Sequence, residues 1–177
     1  MSESSFLANK KRCIAEVESS LSLLLEAHGF GAEPIRFETE QRDFTEWIRD
    51  RRWKQDVIRL HSRPLGEILG LGVEVRMPDI PDKLAMFDGR AANHVLGRRG
   101  YYVPYGTGPV ARWRTRALIR RISRDCLAVL EWFESSASPT AALARLRTGE
   151  TNGCGSEGRA YSNTERYLEA LLDAPKG

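Results

Sequence analysis

The stretch QDVIRLHSRPLGEILGLGVEVRM, Gln55–Met77, decides the fold. DVIRLHSR places Val57, Arg59 and His61 in one phase and Ile58 and Leu60 in the other, the period of two that a strand requires. SRPLG supplies turn chemistry through Pro64 and Gly66. EILGLGVEVRM then sets Leu69, Leu71, Val73, Val75 and Met77 in one phase, a wholly apolar face that has to lie on a core. The opposite phase holds Ile68, Gly70, Gly72, Glu74 and Arg76. Glycines at alternate positions leave a shallow groove or admit another group close to the backbone. The expectation is a strand hairpin that serves first as scaffold. Its outer face, with Gly70, Gly72, Glu74 and Arg76, is the part able to present chemistry.

On the N-terminal side, Phe6, Cys13, Ile14, Val17, Leu21, Leu24 and Leu25 recur at helical spacing after a Ser4 or Ser5 cap. EAHGF ends this helix, with Gly29 suited to a left-handed terminus and Phe30 folding back. PIRFETE alternates Ile35, Phe37 and Thr39 against Arg36, Glu38 and Glu40, and reads as a half-buried strand. DFTEWIRDRRW is open to two readings. The spacing of Phe44, Trp47 and Ile48 favours a short helix after Asp43 over a connection between strands.

On the C-terminal side, Pro78 to Pro109 reads as a long loop, 78–109, carrying four prolines, five glycines and Tyr101, Tyr102 and Tyr105. A loop of that length in a compact domain is functional or hides a small element. Ala111 to Phe133 reads as a second long helix, with Leu118, Ile122, Cys126, Val129 and Phe133 on one side. Arg112, Arg116, Arg120 and Arg124 recur every four residues on the other. Ser138 and Pro139 open a further helix as cap and first turn. RTGETNGCGSEGRA makes 148–160 a flexible segment. SNTERYLEALL closes the chain as a short helix capped by Asn163 or Thr164, with Tyr167, Leu168, Leu171 and Leu172 inward. No internal repeat is visible. The expected class is α+β in a single domain, 1–177. An antiparallel sheet of three to five strands is packed by a long N-terminal helix and C-terminal helices.

The chain of 177 residues is 41% hydrophobic and 29% charged, enough apolar surface to exclude disorder throughout. No apolar run reaches the roughly 18 residues of a membrane span, so no membrane partner is expected. MSESSFLANKKRC lacks the order of a secretory signal. Cys13, Cys126 and Cys154 are odd in number and without metal spacing, which suits free thiols in a reducing cytoplasm. The net charge of +3 is unevenly placed. Eight arginines and no acid lie between Arg98 and Arg124, against nineteen basic and twenty-four acidic residues elsewhere. Such a block serves either as a solvated helix face or as a surface for an anionic partner.

Phosphate-cradling, nucleophile-elbow, zincin and paired-cysteine motifs are all missing. His28, His61 and His94 stand far apart without ligand spacing, so neither a metal nor a cofactor is implied, and no catalytic residue is assigned. One constellation has to be weighed. Asp56 on one strand and Glu74-Val75-Arg76 on the next, with Glu16, Glu18 or Glu26 from the helix, partly resemble the core of the PD-(D/E)xK nucleases. In that resemblance carboxylates hold a divalent metal and a lysine positions water. Arginine replaces the lysine here, and its high pKa suits that task poorly. The candidate partner-binding residues are instead Arg98, Arg99, Tyr101, Tyr102, Tyr105, Arg112, Arg116 and Arg120, the types enriched at interface hot spots. A nucleic acid held by the arginine face is the alternative partner.

The order of elements, with Gly29-Phe30 ending the first helix, Leu71-Gly72-Val73 on the second strand of the hairpin and Trp132-Phe133 on a C-terminal helix, resembles the small bacterial proteins of the DUF4304 type. The long basic loop departs from that pattern. The resemblance carries over no catalytic residues. It implies a non-catalytic binding protein, such as an immunity protein that binds and blocks a bacterial toxin domain.

Overall fold

The computed structural model describes residues 3–38, 43–63, 66–77, 86–88, 100–104, 106, 108–148 and 159–174. Helix α1 (Glu3–Glu26) buries Cys13, Val17, Leu21 and Leu25, the inner part of the expected stripe. Its end is set by Gly29 at φ 83°. There the Gly29 N–H donates to Glu26 (3.0 Å) and the Phe30 N–H to Leu25 (3.0 Å), while Phe30 folds back into the core. These are the paired bonds of a Schellman terminus, and the left-handed conformation favours glycine at that position.

Six strands follow: β1 (Ile35–Glu38), β2 (Asp43–Asp50), β3 (Gln55–Ser62), β4 (Ile68–Arg76), β5 (Met86–Asp88) and β6 (Tyr101–Tyr102). They form an antiparallel sheet in the order β1-β2-β3-β4-β5, with the two-residue β6 also paired to β4. Three helices close the described chain: α2 (Pro109–Glu134), α3 (Pro139–Arg147) and α4 (Arg159–Asp173). The class is therefore α+β, as the hairpin reading requires.

Two strand expectations are corrected. Asp43–Asp50 is a strand rather than a short helix, pairing Phe37 with Phe44 and Arg36 with Thr45. Thr45, Glu46 and Trp47 are buried in succession. Burial on both faces of a strand removes the simple alternation from its sequence, so the 44/47/48 spacing imitates a helical stripe. β1, expected to be half-buried, is exposed at all four positions.

In β4 the apolar phase behaves as expected: Leu69, Val73, Val75 and Met77 are buried and Leu71 is half-buried. The opposite phase is not bare, because Gly70 and Glu74 are buried as well. A Cβ on Gly70 would stand 2.1 Å from His61 Nε2, so this glycine gives room to the imidazole. Of the two uses open to alternating glycines, Gly70 serves close approach.

The described chain divides into two compact units, 1–48 with 58–71 and 98–127, and 49–57 with 72–97 and 128–177. In the first unit Trp47 Nε1 donates to Ser22 Oγ of α1 (2.9 Å), and Thr45 bonds to Glu18. Two buried polar residues of α1 hold the connections: Asn9 Nδ2 donates to the Pro104 carbonyl (2.6 Å) and Lys10 Nζ to that of Arg63. In the second unit Ser138 caps α3 as expected, accepting from the Ala141 N–H (3.2 Å) with Pro139 at the first turn. α4 begins at Arg159, ahead of the expected caps, and Thr164 is buried inside it. Leu168 is buried, but Leu172, expected inward, is exposed. The expected flexible segment lies outside the described residues except for Thr148, Arg159 and Ala160.

Candidate partner-binding surface

α2 turns one side into the core through Ala111, Leu118, Ile122, Cys126, Val129 and Phe133. Thr115 on this side is satisfied by donating to the Ala111 carbonyl (3.0 Å). Helical periodicity then forces the opposite side outward. Arg112, Arg116, Arg120 and Arg124 are exposed there, and Arg114 and Arg121 are exposed on the flank of the buried stripe. Arg124 reaches its neighbour Asp125 at 3.5 Å. Arg112, Arg116 and Arg120 have no ion pair among the described residues. Trp113 stands among these arginines and is 63% exposed. Trp113, Arg116, Ile119 and Arg120 line a shallow depression on this face.

Of the residues singled out from sequence, Arg112, Arg116 and Arg120 thus share one solvent face. The two adjacent tyrosines separate. Tyr102 is 71% exposed, whereas Tyr101 is 2% exposed and its hydroxyl donates to Asp125 (2.8 Å). Successive residues of a strand point to opposite sides, and β6 sends Tyr101 inward. Tyr101 therefore positions α2 instead of offering a contact. Arg98, Arg99 and Tyr105 lie outside the described residues. Sequence reasoning misses Trp113. Its signal is a large aromatic placed out of phase with the apolar stripe of its own helix.

The carboxylates weighed for metal chemistry are otherwise engaged. Asp56 has no exposed surface and is held by Arg49 (2.7 Å), Arg51 (2.9 Å) and Lys54 (2.7 Å). Lys54, also without exposed surface, donates to the Phe133 carbonyl (3.3 Å) at the end of α2 and lies near the rings of Trp53 and Phe133. Burial lowers its pKa, and Asp56 opposes that shift. Arg49 (2.9 Å) and Arg51 also pair with Glu134. Glu74 forms a bidentate pair with Arg76 of its own strand, at 3.0 and 3.1 Å. Gly70 shares the His61 side of the sheet, so Glu74, in phase with Gly70, faces away from Asp56, which is out of phase with His61. The two carboxylates do not converge on one ion. Among the described residues no cluster of three potential ligands forms, and no helix is long and apolar enough to cross a membrane.

Comparison with protein-family models, with curated proteins and with solved structures finds no match to this chain.

Proposed function

We propose that the protein is a non-catalytic binding protein whose α2 solvent face seats an acidic surface of a partner protein. The observation that carries this reading is Trp113, 63% exposed among arginines that have no ion pair among the described residues. Tryptophan and arginine dominate interface hot spots, because one fills a desolvated pocket and the other makes directional charged hydrogen bonds. The depression bounded by Trp113, Arg116, Ile119 and Arg120 offers apolar and cationic contacts together. Steric occlusion of a toxin domain in a bacterial cytoplasm, the role implied by the DUF4304-type resemblance, needs such a surface and no catalytic group.

The test is affinity capture from the native host with cross-linking, comparing the parent chain with Arg116→Glu/Arg120→Glu. Neither arginine has an intramolecular partner among the described residues, so the variant should fold normally. It should lose one specific protein, with association weakened tenfold or more. An unchanged capture profile would remove α2 as the interface.

A second reading, binding to nucleic acid, is favoured by the four-residue ladder of Arg112, Arg116, Arg120 and Arg124 without an intervening acid between the first and last. Titration of a labelled duplex against salt separates the two. Phosphate binding weakens as log K falls linearly with log salt, steeply in proportion to the phosphates neutralised.

A further inference from the structure

β1 is the outermost strand in the sheet order, and one of its edges is unpaired among the described residues. All four of its residues are exposed, Ile35 and Phe37 each at 46%. An edge carrying large apolar side chains is a template for another strand. Its sequence, Ile-Arg-Phe-Glu, also contains its own complement. When the strand is laid antiparallel against a copy of itself about Phe37, Arg36 falls opposite Glu38 of the copy, twice by symmetry, and Phe37 falls opposite Phe37. Centring the pair on Arg36 or on Glu38 instead sets like charges opposite. Centring it between Arg36 and Phe37 sets charge against ring.

We infer that the free edge of β1 pairs with β1 of a second copy of this chain, antiparallel about Phe37. The partner groups are available. Arg36 contacts Glu18 at 3.3 Å but its side chain is 63% exposed, leaving further N–H donors for a second carboxylate. The Glu38 carboxylate has no ion pair among the described residues, and its register partner in β2 is Asp43. Phe37 is the register partner of Phe44. Phe44 in turn lies under the Arg59 guanidinium (5.4 Å) and beside the His61 ring (6.3 Å). Meeting of Phe37 with its copy joins two such rows across the twofold axis. An isologous contact of this kind closes on itself and stops at two copies. Its small size makes it a weak, concentration-dependent dimer. The inference is independent of the α2 surface.

Sedimentation velocity across a wide concentration range tests it. The parent chain should move from monomer toward dimer as concentration rises. Glu38→Arg sets two guanidinium groups opposite each other, twice across the axis, and should stay monomeric throughout. The exchange Arg36→Glu/Glu38→Arg restores opposite charges and should recover the dimer. A parent chain monomeric at every concentration, a dimer that survives Glu38→Arg, or an exchange variant that stays monomeric would each overturn the pairing. An independent arm needs no charge change. Phe37→Cys with Cys154→Ser should form an intermolecular disulfide under mild oxidation, and a failure to cross-link refutes the register about residue 37.

Discussion

Asp56 is the residue on which the most charge depends. Three cations surround one buried carboxylate, and two of the three, Lys54 and Arg49, are themselves almost wholly enclosed. Removing Asp56 leaves the buried Lys54 desolvated without a carboxylate while Arg49 and Arg51 keep Glu134, and stripping a buried charge of its partner costs about 3–5 kcal/mol. Asp56→Ala should lower chemical stability by that amount in a urea titration; a loss below about 1 kcal/mol would mean that water reaches the cluster. The two buried thiols make a second residue-level prediction. Burial pushes Cys126 up to about 12 and Cys13 up to about 11, from an ordinary 9.0. Above pH 9 the unfolded chain loses these protons while the folded chain keeps them. Stability therefore falls as pH rises through this window, by about 1.4 kcal/mol per pH unit for each thiol. Cys126→Ala should flatten the decline measured between pH 9 and 11. Parallel slopes for parent and variant would show that Cys126 does not drive it.

At the scale of elements, the β3–β4 hairpin rests on one unusual contact. The imidazole of His61 occupies the space that a Cβ on Gly70 would take. Gly70→Ala forces the ring aside and should cost about 1–3 kcal/mol, the range for overpacking. His61→Ala should restore most of that loss, and a double-mutant cycle in thermal melts measures the coupling. If the two substitutions are additive, the ring and residue 70 do not meet. Both strands of this hairpin were legible in the sequence because one phase of β4 is purely apolar. β2 was not legible, since Trp47 and Thr45 serve the α1 side while Glu46, bonded to Arg59 at 2.6 Å, is buried on the other. β1 misled in the opposite sense. Its alternation is real, but both phases of the strand are exposed, Ile35 and Phe37 at 46% each. The candidate surface was legible to a similar extent. Arginine periodicity located the exposed side of α2, whereas the inward turn of Tyr101 depends on the phase of a two-residue strand, which composition does not record.

For the molecule as a whole, the question is why a chain of net charge +3 concentrates eight arginines in one stretch. Arg112, Arg116 and Arg120 stand at i,i+4 spacing, where like charges destabilise a helix by roughly 0.2–0.5 kcal/mol per pair. No described acid relieves them. Arg116→Glu converts both repulsive pairs into attractive ones. The new carboxylate precedes Arg120 by four residues, and acid before base is the more favourable orientation. The isolated variant should therefore be more stable than the parent chain, by about 0.8–2 kcal/mol once repulsion is removed and attraction gained at both spacings. Its association with an acidic partner should weaken in the same experiment. A face selected only for solubility has no reason to keep the less stable arrangement, whereas a binding face does. Thermal melts of the parent chain and Arg116→Glu at low and at physiological salt decide the matter. The gain in stability should shrink as salt screens the exposed charges. A variant that melts earlier than the parent would show that Arg116 supports the fold, and the binding surface would then have to exclude it.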